Sequence, residues 1–192
     1  MPMRLNDSIV SRFWLPALVV LGQACAPPQS SRVAPVSAAT TTIVVVRHAE
    51  KGTDDPRDPS LTVAGQQRAL ALSSVLKDAG VTAIYVTQYK RNRQTAEPLA
   101  QQSGISITER PIAAANTATY AQDLAREILT RNAGKSVLVV GHSNTVPDIV
   151  KALSGTTVPP ITDPEYDHIF IVTIPGSGSP RLLQLRFGQP AP

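Results

Sequence analysis

The sequence predicts a three-layer α/β sandwich, with a mostly parallel central sheet and helices on both faces. Three observations predict it. Short uninterrupted apolar runs, such as residues 43–47 (IVVVR) and 135–141 (KSVLVVG), read as strands buried on both faces. Longer stretches between them carry apolar residues at helical spacing. The two kinds of segment alternate along the chain, and such alternation packs as βαβ units.

The elements follow in order. After the strand at 43–47 comes a polar loop holding Pro56 and Pro59. Thr62 is placed to cap a helix over 63–78, where Ala69, Leu72, Val75 and Leu76 form a stripe that ends at Gly80. Residues 81–86 (VTAIYV) give a second strand, 91–102 a second helix and 105–107 (ISI) a short strand. A helix near 120–131 begins with Thr119 and Gln122 at capping-box spacing. After the strand at 135–141, Ser143 or Asn144 starts a helix running through Leu153, and Pro147 falls in its first turn, where no intrahelical amide is lost. Residues 167–174 and 180–187, joined by a Pro-Gly-Ser-Gly-Ser stretch, read as a terminal pair of strands.

The 192 residues, 42% of them hydrophobic, suit one domain with a real core, assigned to residues 43–192. The start of the chain reads differently. Arg4 and Arg12 lie in a basic opening, residues 13–22 (FWLPALVVLG) form a short apolar run, and small residues follow, which is the layout of a signal peptide over residues 1–24. Cys25, the only cysteine, stands at the cleavage point and resembles the lipidation site of bacterial lipoproteins, although Gly22 occupies the place where that box usually has leucine. Residues 25–42, rich in Pro, Ser, Ala and Thr, read as a flexible tether. The expectation is an exported protein: periplasmic or outer-membrane-anchored if Cys25 is lipidated, otherwise secreted or periplasmic. The net charge of +4 comes with only 4% aromatic residues and scattered arginines, which argues against nucleic acid and fits a small anionic substrate.

Ligands of open α/β sheets sit beyond the carboxyl ends of the strands. One predicted strand ends in Arg47-His48, the next leads to Arg91 and Arg93, and a third ends in Gly141-His142. Two of the three histidines thus fall at equivalent strand ends, close to arginines. Guanidinium groups hold phosphate oxygens in bidentate fashion, and a neutral imidazole is a nucleophile near neutral pH. Amides after Gly141 would add donors at a helix start. Such a pocket suits a phosphoryl group and needs no metal or other cofactor.

Four motifs in this order resemble the histidine phosphatase superfamily, the phosphoglycerate mutase-like family, over residues 43–155. They are Arg47-His48-Ala49-Glu50, Leu61-Thr62-Val63-Ala64-Gly65, the segment from Thr87 to Ala96 around Arg91, and Gly141-His142-Ser143-Asn144-Thr145. The resemblance implies a phosphoglycerate mutase-like fold. It also implies that His48 is phosphorylated in the reaction, that Arg47, Arg91 and His142 complete the phosphate pocket, and that water then hydrolyses phospho-His48. Glu109 matches the glutamate that many members use as leaving-group acid after a short strand. Tyr89 and Asn92 depart from the apolar residue and alanine usual around Arg91. Arg93 lies on another helical face and reads as a surface residue.

Other side chains have blander readings. Glu50 either orients His48 or Arg91 or faces solvent. Glu50, Lys51 and Arg57 stand as a candidate rim, with Asp54, Asp55 and Asp58 offsetting the cations. His168 reads as a half-buried strand histidine. The expected activity is a phosphomonoester hydrolase acting on a small phosphate ester or protein phosphohistidine. The rivals are an envelope-anchored binding protein for phosphate compounds, a mutase-type phosphoryl transferase, and a metal hydrolase using His48, Glu50, Asp54 and His142. Fewer than about twenty residues separate the second helix from the helix at 120, too few for a large cap domain, which favours hydrolysis over mutase chemistry.

Overall fold

The computed structural model describes residues 39–190. The leader, Cys25 and most of the tether therefore lie outside the described residues. The elements are β1 (Thr41–Arg47), α1 (Val63–Leu76), β2 (Val81–Val86), α2 (Lys90–Ser103), β3 (Ile107–Glu109), α3 (Tyr120–Arg131), β4 (Ser136–Gly141), α4 (Thr145–Ser154), β5 (His168–Ile174) and β6 (Arg181–Arg186). One six-stranded sheet has the order β3-β2-β4-β1-β5-β6. The four strands from β3 to β1 are mutually parallel, and β5 and β6 add antiparallel at the far side. The fold is the three-layer sandwich that the strand–helix alternation predicts.

The apolar run of β1 is explained by its central place. Ile43 and Val45 pack toward α3 and α4, whereas Val44 and Val46 pack toward α1 and α2. All four are at most 3% exposed, so a strand with the usual period of two is apolar at every position. The strand starts at Thr41, two residues inside the stretch assigned to the tether, because Thr41 and Thr42 pair with Ile174 and Thr173 of β5.

Several local expectations are corrected. The α1 stripe consists of Arg68, Ala69, Leu72, Ser73 and Leu76; Val75 is 56% exposed and off it. Thr62 caps α1 as expected, its hydroxyl accepting from the Gly65 amide at 3.1 Å. Thr119 makes no side-chain cap on α3, so the capping box does not form. The short strand lies at 107–109 rather than 105–107, which places Glu109 inside the strand rather than beyond it. Among the described residues, no helix is long and apolar enough to cross a membrane.

Candidate active site

Sheet register brings the predicted residues together. Arg47 at the end of β1 lies opposite Gly141 at the end of β4, and Val140 of β4 lies opposite Val86 of β2. The His48 amide continues the ladder by donating to the Gly141 carbonyl at 2.9 Å. His48 and His142 therefore leave adjacent strands side by side, with ring centroids 5.3 Å apart. Arg91 enters from the first turn of α2, just beyond β2. These four side chains, with Lys51, Tyr89 and Asp163, line a cavity of about 270 Å³. A larger groove of about 810 Å³ between α1 and α2 is lined mainly by glutamines, serines and small apolar residues and contains none of the four. Size does not locate the chemistry here.

The tautomer of His48 follows from its partner. Its Nδ1 stands 2.8 Å from the Ala49 carbonyl, which only accepts, so Nδ1 carries the proton and Nε2 keeps its lone pair. Burial is the main cause that pushes the His48 pKa down to about 3, helped by the charges of His142, Arg47 and Arg91 and opposed by the Ala49 bond. His142 is lowered to about 4 by burial and by the same two arginines. Its Nε2 is 2.9 Å from the Thr87 hydroxyl, and its backbone amide donates to Thr145 Oγ1 at 2.9 Å. Both imidazoles are thus neutral nucleophiles or donors at neutral pH.

This has a consequence for stability. The unfolded chain takes up protons on these histidines below about pH 6.5, whereas the folded chain resists until near pH 3–4. Stability is therefore full above about pH 6.5 and falls as pH drops toward the folded values. An NMR titration is expected to show both rings neutral at pH 5.5; a midpoint near 6.5 for either would contradict their buried state.

α2 holds the site from behind. Asn92 is fully buried and its Nδ2 donates to the Val140 and Gly141 carbonyls at 2.9 and 3.0 Å, fixing the end of β4. Thr95 Oγ1 accepts from the Ala49 amide at 2.9 Å and donates to the Arg91 carbonyl at 2.7 Å. One helix face thus ties both histidine loops to the arginine turn. Asn92→Leu is expected to lower stability by about 2 kcal/mol, because two buried carbonyls each lose one donor; chemical denaturation measures it. Tyr89, the other departure, meets His142 edge-on at 5.3 Å and stacks under Arg91 at 4.4 Å.

The remaining candidates separate. Glu50 bonds neither His48 nor Arg91: its partly buried carboxylate takes bonds of 2.7–3.0 Å from Arg68, a buried arginine that also donates to the Phe187 and Gln189 carbonyls. Lys51 reaches the cavity, whereas Arg57 is exposed and absent from its lining. The rim acids build the loop: Asp54 accepts from Ser60, Asp55 from Arg57 and Asp58, and Asp58 from the Lys90 amide. Asp58 also stands 3.8 Å from Arg91. Glu109 is absent from the cavity lining and pairs with Arg93, whose surface reading holds. His168 is partly buried, stacked on Phe170 at 5.6 Å and bonded to Glu165. Among the described residues no cluster of three His, Cys, Asp or Glu side chains stands ready to hold a metal ion.

Sequence reasoning missed the loop from α4 to β5. Arg47 donates to the Thr162 and Glu165 carbonyls at 3.1 and 3.2 Å, pairs with Asp163 and carries the Tyr166 ring 4.0 Å from its guanidinium carbon. Only the sparse aromatic content made Tyr166 noticeable in the sequence, and nothing there linked it to Arg47 more than a hundred residues away.

Comparison with known proteins agrees with this geometry. Residues 43–112 match the family model described as the Histidine phosphatase superfamily (branch 1). An 8-oxo-(d)GTP phosphatase of Mycolicibacterium smegmatis is 27% identical over 156 residues, covering 76% of this chain and 48% of that protein. The chain thus spans about half the length of this curated relative. A mycobacterial glucosyl-3-phosphoglycerate phosphatase structure superposes with a TM-score of 0.58 at 14% identity, covering 74% of this chain and 97% of the other. The protein histidine phosphatase SixA complexed with tungstate gives 0.55 at 23% identity, covering 76% and 96%. These two structures share the fold. The family match spans the first three motifs, and the two structures share the fold at whose strand ends Arg47, His48, Arg91 and His142 converge.

Proposed function

We propose that the domain is a metal-independent phosphomonoester hydrolase that works through a phosphohistidine on His48. The observation that carries this reading is the Nδ1–Ala49 bond, which leaves the Nε2 lone pair free in a cavity shared with two guanidinium groups. Nε2 attacks phosphorus, the P–N bond forms and the P–O bond to the leaving group breaks. Arg47, Arg91 and the His142 ring stabilise charge on the equatorial oxygens. Water then attacks phosphorus, the electron pair of the P–N bond returns to Nε2, and the proton from the water goes to the carboxylate that the leaving-group acid became in the first step. EDTA is expected to leave the rate unchanged; loss of activity restored by a divalent ion would overturn the metal-free scheme.

The substrate class is a small phosphate ester or protein phosphohistidine, because the segment between α2 and α3 supplies only β3 and a short loop to the cavity wall. That short enclosure favours hydrolysis over transfer to a second bound alcohol. The proton that the departing oxygen needs is assigned to Glu109 as donor on resemblance alone, since Glu109 is paired with Arg93 and must turn from it to act. Glu109→Gln is expected to cost about 10²-fold in kcat on alkyl phosphates if it is the acid. Unchanged kcat removes it from the mechanism. Export on the leader, with the domain tethered through residues 25–42 and acylated at Cys25, is part of the same proposal; mass spectrometry of the mature N-terminus tests it.

A further inference from the structure

Arg47 is not a free clamp. Both Nη1 bonds go to the Thr162 and Glu165 carbonyls, Nη2 goes to Asp163, and Tyr166 covers one face of the guanidinium. Its Nε is buried without a partner. Arg47 itself is 2% exposed. The loop that binds it is braced in turn: Glu165 accepts from the Thr162 amide and hydroxyl at 2.9 and 2.7 Å and from His168 at 3.2 Å. Asp163 is the one carboxylate among the described residues lining the cavity, and its side chain is 65% exposed at the mouth. An anion of the protein's own thus stands on the group expected to hold the substrate's anion.

We propose that Asp163 is a specificity-determining residue of the phosphate pocket: its carboxylate competes with the incoming phosphoryl group for Arg47 and turns away substrates that bring a second anionic group. This inference rests on the phosphatase reading given above. The bond from Arg47 holds the Asp163 carboxyl below its usual range, so it is anionic at neutral pH. A phosphoryl dianion offers Arg47 two or three oxygens where Asp163 offers one, and exchange follows. The displaced carboxylate stays at the mouth on a chain held by Arg47's own bonds to residues 162 and 165. There it repels a carboxylate or second phosphate on the leaving group and tolerates a neutral or ammonium-bearing one. Lys51 on the same cavity wall attracts anions, so Asp163 sets the balance.

The test compares wild type with Asp163→Asn in two measurements on the full chain. Calorimetric binding of inorganic phosphate reads the exchange on Arg47 without turnover, and the variant is expected to bind about tenfold more tightly because a competing state is removed. Steady-state kinetics on phosphoethanolamine, phenyl phosphate and 3-phosphoglycerate reads selectivity. Wild type is expected to disfavour the carboxylated ester, and the variant to raise its kcat/KM about tenfold relative to phosphoethanolamine, chiefly through KM. Equal or weaker phosphate binding by the variant overturns the competition. An unchanged ratio of the three esters overturns the selection. A fall in kcat that grows with the basicity of the leaving group would instead make Asp163 a proton donor and also overturns the proposal. Hydrolysis that survives His48→Ala defeats the phosphohistidine chemistry while leaving the binding measurement intact, so the two failures are distinguishable. Matching thermal unfolding midpoints confirm that the exposed substitution leaves the fold in place.

Discussion

His48→Ala is expected to lower kcat on p-nitrophenyl phosphate by at least about 10³-fold and to abolish acid-labile labelling of the protein. The reason lies in the imidazole's two nitrogens. Nδ1 is committed to the Ala49 carbonyl, so the ring cannot rotate away or change tautomer without losing a buried bond. Nε2 is then fixed and unprotonated, as the proposed attack requires, at any pH well above about 3. Alanine keeps the backbone bond from the residue 48 amide to Gly141 and removes only the ring. Equal rates for wild type and variant would take His48 out of the mechanism. His142→Ala is expected to be less severe, because it removes a donor rather than the attacking atom, and it should retain slow labelling.

Gly65→Ala is expected to lower stability by about 3 kcal/mol and to impair activity with it. A Cβ at residue 65 would lie 2.3 Å from the Glu50 carbonyl oxygen and 3.1 Å from the Glu50 amide nitrogen. Both are backbone atoms, so no side chain can swing aside. The same Glu50 carbonyl accepts from the Thr62 amide at 2.9 Å, and Glu50 is two residues from His48. Relief of the clash must therefore move either the start of α1 or the loop that carries His48. Urea unfolding reports the first and kcat the second. A variant of wild-type stability would mean that α1 does not press on this loop as described. Gly141 is closely packed on the other loop too, but against side chains: a Cβ would meet Thr145 Oγ1 at 2.9 Å and Val146 Cγ2 at 3.0 Å.

These two glycines show how the motifs are built. In the sequence, Gly65 belongs to a five-residue signature and Gly141 to the residues before a histidine; in the fold, each is the point where a helix start touches the strand-end loop. The motifs are local records of contacts made at close range. Arg47, His48, Arg91 and His142 were legible for that reason: each sits within a few residues of a strand end whose apolar run announces it. The departures at Tyr89 and Asn92 were visible too, but their purpose was not. Asn92 answers carbonyls of β4 nearly fifty residues later, and only the sheet order puts β4 between β1 and β2.

The sequence by itself determined the alternating architecture, the burial of β1 on both faces and the identity of four phosphate-pocket candidates. Periodicity and turn residues act over a few positions, and these features depend on nothing longer. Only the tertiary structure decided which carboxylates attend the site. Glu50 was a near neighbour of His48 in the chain yet belongs to Arg68; Glu109 fitted a family position yet pairs with Arg93; Asp163 fitted no motif yet holds Arg47. A charged side chain takes the partner that reaches it through space, and that partner depends on how loops return over the sheet. Local sequence carries no record of that return.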